Sequence, residues 1–392
     1  MKIFMVDPSN FTMPYNTALA RSLTTEGADV HLFGRPLRMK ESVETGPFAF
    51  HPFFYRRTEP KARQTSRYLK GIEHCHGLAE FINHVKVARP DIVHFQWTPL
   101  PLVDAFAIAL LRRLTTVFVT LHDTEPFNGD PGSRIQLAAY SLPPRLANGV
   151  IVHRRASIDQ WAARGVAKEK LLHIPHGALG AQCLRDAPRM GRGADKLVLV
   201  LFGKIRPYKG LSPLIDALAM LPESCRSKLK VIIAGEPLVS LEAIYKKIAA
   251  ENLSGTIEFR PFYHSEQQIN DLFASADAFL FPYLHIDASG VFFESLSFGK
   301  PVIASSIGCF RDIVDHGSTG LLSAAGDPRA LSDNLRAFVN DEGLRLSLQH
   351  GAGTLSTAIA SWEDIARATS AAYERARTRA EPLSGRKEVR NG

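Results

Sequence analysis

The sequence predicts an α/β protein made of two doubly wound domains that face one another across a cleft. Three observations carry that expectation. The chain has 392 residues, beyond the size at which one hydrophobic core stays practical, so two domains of a little under about 200 residues each are the natural division. Short apolar runs rich in β-branched residues alternate with longer amphipathic stretches almost from end to end. The apolar runs are continuous, as in parallel strands covered by helices on both faces.

The elements follow in order. In the first half, residues 1–180, the strands are KIFMV, DVHLF, DIVHF, TTVFVTL and GVIVH, separated by helical patterns such as NTALARSLTTEG and PLVDAFAIALLRRL. After the first strand, in DPSNFTMPYNTALARSL, Asn10 or Thr12 is suited to cap the next helix, with Pro14 near its first turn. Phe11 and Tyr15 make this loop bulky. Residues 181–196 lie in a stretch rich in Gly, Pro and charge that lacks periodicity and reads as a linker. The second domain, residues 197–361, supplies KLVLVLFG, LKVIIAG, TIEFR, AFLFPY, KPVIAS and the short GLLS. A last helix over 362–380 starts behind an N-cap serine with Glu363 and Asp364 in its first turn, and can cross back to the first domain. The tail 381–392 is expected to be disordered.

Composition narrows the function. With 45% hydrophobic and 22% charged residues the chain reads as an ordinary soluble globular protein. Cys75, Cys183, Cys225 and Cys309 form no CxxC or Cys/His ligand spacing, so neither a disulfide framework nor a zinc site is indicated, and a reducing cytoplasm fits. MKIFMVDPSN is too short in apolar residues for a signal-peptide core, and no apolar window is long enough to span a membrane. The net charge of +8 favours acidic partners. Nucleic acid is not the expected one, because no zinc-finger, RRM or helix-turn-helix pattern is present. A nicotinamide-dependent oxidoreductase is disfavoured as well, since no GxGxxG follows a strand.

Two motifs carry chemistry. In FGKIRPYKG, a strand ends in Gly203 and is followed closely by Lys204, Arg206 and Lys209. Clustered cations repel one another unless an anion sits among them: Gly203 lets the backbone turn closely, Arg206 offers a planar fork for phosphate, and Lys209 a movable point charge. The alternative is a solvated loop with coincidental lysines. In DASGVFFESLSFGKPVIAS, Ser289 and Gly290 precede a helical run, where backbone amides suit phosphate, and Glu294 stands among apolar neighbours, where a carboxylate suits two vicinal hydroxyls such as those of a ribose. Its alternative is a cap or an exposed helical glutamate.

Together, FGxIRPYKG, PYxxxxxSGVxxExxxxGKPVIAS and GSTGLL resemble the donor half of the retaining nucleotide-sugar glycosyltransferases of family 4, which have the GT-B fold of two Rossmann-like domains. The resemblance runs closely over about residues 195–375 and more loosely over 1–180. It implies that Arg206 and Lys209 hold the donor diphosphate with help from the amides around Ser289, Gly290 and Val291. It also implies that Glu294 takes the ribose hydroxyls, and that Pro261 and Phe262 border the nucleobase, uridine or guanosine. No cofactor and no metal is expected, in keeping with the absence of any Asp-x-Asp triplet. One departure stands out. The family motif has two glutamates eight positions apart, whereas here Ile286 occupies the first position and Asp287 is shifted by one. Either Asp287 takes over contact with the transferred sugar or the sugar is read differently.

In the first half the resemblance places His122 near the reacting sugar carbon and makes Asp123 its orienter or the acceptor's. A satisfied loop histidine is the alternative. His94, Gln96 and Trp97 line an acceptor pocket or simply pack in the core. In residues 53–71, three aromatics lead into Arg56, Arg57, Lys61, Arg63, Arg67 and Lys70 against the single acid Glu59. Such a patch suits an anionic membrane surface or a pyrophosphate-linked lipid, or is a merely soluble basic face. The implied activity is hexosyl transfer from a nucleoside-diphosphate sugar to a carbohydrate or lipid-linked acceptor, in the cytoplasm or at the inner membrane face, in bacterial polysaccharide or glycolipid assembly. A nucleotide-sugar epimerase and a non-catalytic scaffold remain as alternatives.

Overall fold

The computed structural model describes residues 1–38, 46–59, 66–122, 139–177 and 196–380. Two units separate by their internal contacts, Met1–Gly177 with Ala360–Gly392, and Ala178–Ile359. The first is built on β1 (Lys2–Val6), β2 (Asp29–Gly34), β3 (Ala49–Pro52), β4 (Ile92–Phe95), β5 (Thr116–Leu121), β6 (Gly149–Val152) and β7 (Leu171–His173). They form one parallel sheet in the order β3-β2-β1-β4-β5-β6-β7. The second contains β8 (Leu197–Phe202), β9 (Leu229–Ala234), β10 (Ile257–Arg260), β11 (Ala278–Phe281), β12 (Val302–Ser305) and β13 (Gly320–Ser323), again all parallel, in the order β10-β9-β8-β11-β12-β13. The expected fold class of two parallel-sheet α/β domains is thus what the chain adopts.

Both sheets reverse strand order at their centre, between β1 and β4 and between β8 and β11. At such switch points the loops leaving the carboxyl ends diverge and open a crevice for ligands. In the first unit, Phe33, Phe54, Phe81 and Trp161 pack one face of the sheet with helices Arg67–Ala88 and Pro101–Leu111. Helices Met13–Thr25 and Trp362–Ala380 lie against each other over the sheet, and Tyr373 of the last helix bonds His94 of β4 at 2.6 Å. That last helix is opened by Ser361, whose Oγ accepts from the Asp364 amide at 3.1 Å.

Three local expectations are corrected. The edge strands β3 and β7 were not anticipated: AFHP and LLH are short and lack the two-sided apolar run that marks an inner strand. Neither Asn10 nor Thr12 caps helix Met13–Thr25 through its side chain. The Thr12 hydroxyl instead meets the Asp7 and Asn16 side chains, both at 3.1 Å, and the Asn10 amide binds the Arg35 backbone at 3.0 and 3.1 Å, so neither is turned toward the amides of the first turn. In the 53–71 patch the three aromatics do not form a surface: Phe54 is in the core, and Phe53 and Tyr55 are half-buried. Lys61 and Arg63 lie outside the described residues, as do the 381–392 tail and most of the linker.

Candidate functional site

The C-terminal unit gathers its polar residues where β8 and β11 diverge. Gly203 follows β8 with a φ of 111°, and a Cβ there would sit 3.1 Å from Lys209 Nζ and 3.2 Å from Val291 Cγ2. Gly210 closes the turn with a φ of 69°, and any side chain there would collide with the Pro282 carbonyl. Glycine is therefore required at both ends of the loop on steric grounds. Between them Lys209 is only 3% exposed. Its Nζ donates to the Phe202 carbonyl at 3.0 Å and to the Tyr283 hydroxyl, and lies 4.4 Å from the centre of the Tyr283 ring. The movable charge expected at this position is thus a fixed one. Among the described residues no carboxylate pairs with this amine, and burial pushes its pKa down to about 7.

Tyr283, at the end of β11, ties the two motifs together. Its hydroxyl meets Lys209 on one side and the Ser289 side chain on the other, and burial keeps the phenol protonated. Ser289 in turn accepts from the Phe292 amide at 3.3 Å and so caps helix Gly290–Leu296. The helix is only seven residues long. What Ser289, Gly290 and Val291 offer an anion is therefore mainly hydrogen bonds from their amides. Arg206 is half-buried in extended backbone that leads into the Pro207–Lys209 turn, and Lys204 is exposed.

Further along the helix, Glu294 is half-buried, and burial, with the Glu266 carboxylate second, raises its pKa to about 7. Asp287 is buried, and its carbonyl accepts from the Cys309 amide at 2.8 Å. Beyond β10, Phe262 is about half exposed, with Pro261 half-buried beside it. The Phe262 ring stacks on His264 at 4.5 Å with 11° between planes, leaving a flat apolar surface. His264 Nε2 is buried there without a hydrogen-bond partner.

In the N-terminal unit His122 follows β5 directly and is buried. Both ring nitrogens already have neighbours: Nε2 meets Gln96 Oε1 at 3.3 Å and Nδ1 meets His153 Nε2 at 3.3 Å. Gln96 and His94 belong to this buried cluster, whereas Trp97 stacks on Phe11 at 4.3 Å. Tyr15 stands over the cluster, its ring 4.8 Å from His122, 5.1 Å from His153 and 5.0 Å from His176, with a buried hydroxyl that makes no hydrogen bond. Burial, reinforced by His153, holds His94 and His176 at pKa values of about 3 and His122 well below the usual histidine range. Asp123 lies outside the described residues. Among the described residues no group of three or more His, Cys, Asp or Glu is arranged to hold a metal ion.

Sequence reasoning missed Tyr283, His153, His176 and Tyr373. A signal for one of them was present: Gln96, His122 and His153 are the first residues beyond the neighbouring strands β4, β5 and β6, and polar residues aligned at adjacent strand ends must meet.

Residues 15–178 match the family Glycosyltransferase Family 4, and residues 186–353 match Glycosyl transferases group 1. The chain is 31% identical over 242 residues to a D-inositol 3-phosphate glycosyltransferase of Streptomyces avermitilis, covering 58% of this chain and 52% of that protein. It is also 31% identical over 192 residues to the lipopolysaccharide core biosynthesis mannosyltransferase LpsB of Rhizobium meliloti, covering 47% and 53%. The chain thus spans about half the length of the curated relatives it matches. In fold it resembles the crystal structure of Anabaena HepE in complex with UDP, with a TM-score of 0.72 over 96% of this chain and 100% of that one at 20% identity. None of these matches favours the epimerase or nucleic-acid alternatives.

Proposed function

We propose that this chain, whose halves carry the family 4 and group 1 glycosyltransferase domains, moves a hexose from a nucleoside-diphosphate sugar to an acceptor hydroxyl, with retention and without a bound metal. The observation that carries the reading is Lys209. A buried amine held by a carbonyl and a phenol, with no carboxylate beside it among the described residues, is costly in an empty protein and is stabilised when an anion arrives. Charge builds on the leaving diphosphate as the glycosidic bond lengthens, so a preplaced cation favours the transition state over the ground state.

In this reading Arg206, Lys209 and the amides around Ser289, Gly290 and Val291 hold the diphosphate. Glu294 accepts from the ribose hydroxyls, and the base lies on Phe262. The UDP bound by HepE and its UDP-glucose complex support uridine as the base. Titration calorimetry with UDP, GDP and ADP, with and without a chelator, tests it. Binding of one nucleotide that survives chelation is the expected result, and no binding by any nucleotide overturns it.

The acceptor we read as carbohydrate or lipid-linked, met at an anionic membrane surface. Tyr68 is 77% exposed, and Leu69 and Ile72 on the same helix are also exposed, close in sequence to Lys70, so apolar and basic groups alternate there as interfacial docking needs. Among the described residues no helix is long and apolar enough to cross a membrane. Co-sedimentation with anionic and neutral vesicles tests this part independently, and equal retention on both would refute it.

A further inference from the structure

The residues beyond β4, β5 and β6 form a hydrogen-bonded line. His153 Nδ1 meets the Ile174 carbonyl at 3.0 Å and His153 Nε2 meets His122 Nδ1 at 3.3 Å. His122 Nε2 meets Gln96 Oε1 at 3.3 Å, and Gln96 Nε2 meets His94 Nδ1 at 3.1 Å. His94 ends the line, with Tyr373 Oη 2.6 Å from Nδ1 and Thr120 Oγ1 2.7 Å from Nε2.

Donors and acceptors must alternate along such a line. The Ile174 carbonyl only accepts, so His153 Nδ1 carries hydrogen. At the other end Gln96 offers its oxygen to His122, so His122 Nε2 carries hydrogen and its Nδ1 is a bare lone pair. In that state His153 Nε2 donates too, and His153 is an imidazolium. If His153 releases that proton, its Nε2 becomes an acceptor and His122 must carry its hydrogen on Nδ1 instead. The Gln96 amide must then make a half-turn to present its NH2 group to His122 Nε2. His94 follows with hydrogen on Nδ1 toward the Gln96 oxygen, while the Thr120 and Tyr373 hydroxyls rotate to suit. The line therefore has two self-consistent states that differ by one proton.

We propose that His153 is a positioning residue: its proton decides which ring nitrogen of His122 bears hydrogen, and Gln96 passes the choice to His94. Among the described residues, the groups facing His153 include His122, His94 and His176, the Tyr15 ring at 5.1 Å, and His173, which bonds the His153 backbone. Burial keeps Tyr15 neutral and holds the other four histidines below the ordinary range. The consequence for catalysis rests on the transferase reading, because it gives His122 opposite hydrogen-bonding character at Nε2 in the two states. The tautomer itself does not depend on that reading.

The test is a long-range proton–nitrogen correlation spectrum of protein carrying 15N-histidine, with His122 assigned by loss of its signal in His122→Gln. Across about pH 5 to 8, His122 is expected to pass from hydrogen on Nε2 to hydrogen on Nδ1 as His153 loses its proton. In His153→Phe it should stay with hydrogen on Nε2 throughout. A native His122 that keeps one tautomer while His153 titrates overturns the proposal, even if the Phe variant does not fold, and so does a Phe variant whose His122 switches as the native one does. A protein that switches but transfers no sugar keeps this inference and loses the transferase reading, whereas a working transferase with a fixed His122 does the reverse.

Discussion

The two units share the strand order 3-2-1-4-5-6, yet they bury opposite kinds of polar group at their switch points. In the C-terminal unit Lys209 is buried against the Phe202 carbonyl and the Tyr283 phenol. In the N-terminal unit the buried groups are several imidazoles and an amide that hydrogen-bond to one another. The first arrangement leaves a buried amine without a charged partner among the described residues; the second is nearly closed. One topology thus serves two purposes, and the difference lies in the residues placed at the strand ends.

The largest way to break this comparison is Lys209→Met. Diphosphate-dependent turnover should fall about 100 to 1,000-fold. The ligand-free variant should be more stable than the native protein at acid pH, by roughly 5 kcal/mol. The sign follows from the depressed pKa: between about 7 and the ordinary lysine range the unfolded chain binds the proton and the folded one does not. The penalty of the native lysine is therefore full below about 7 and fades as pH rises toward the unfolded value. Thermal denaturation at acid and alkaline pH checks it, and an equal change at both would mean that Lys209 is not a buried charge.

Glu294→Gln comes next. Losing a charged acceptor for ribose should weaken nucleotide binding about 10 to 100-fold while leaving inorganic pyrophosphate unaffected. Equal losses for both ligands would remove Glu294 from the ribose. Because its pKa is raised to about 7, Glu294 contributes stability that is present below the ordinary carboxylate range and is lost as pH rises through about 7. The Gln variant should therefore flatten the decline in stability across that window.

A gentler measurement sharpens the contrast without mutation. If the diphosphate restores the charge on Lys209, binding at pH 8 should take up close to one proton, seen as a buffer-dependent heat in calorimetry. Zero uptake would show that the amine is already charged. The smallest effect belongs to the closed cluster: Tyr15→Phe deletes a buried hydroxyl that bonds to nothing, so folding should change by less than about 1 kcal/mol. A larger loss would mean that the hydroxyl has a partner in solution.

Much of this was legible in the residues. The inner strands announced themselves because both faces are buried and the apolar run is unbroken, whereas β3 and β7 lie at sheet edges where that signal lapses. Gly203, Arg206 and Lys209 stood out as candidates because cations cluster behind a strand-end glycine, and Glu294 because a carboxylate stands among apolar neighbours on a helix. The burial of Lys209 was not, since it depends on Tyr283, which is 74 residues away in sequence. His153 was equally hidden, because its neighbour His122 comes from a different strand and only the strand order brings them together.

The returning helix Trp362–Ala380 has a bearing on how the protein is made. It supplies Tyr373 to His94 and part of the cover over the first sheet, yet it is synthesised after the whole C-terminal unit. At about 5–20 residues per second, the early-emerging sheet waits on the order of 10 to 40 seconds for that cover. During that interval the nascent chain leaves this face of the sheet uncovered.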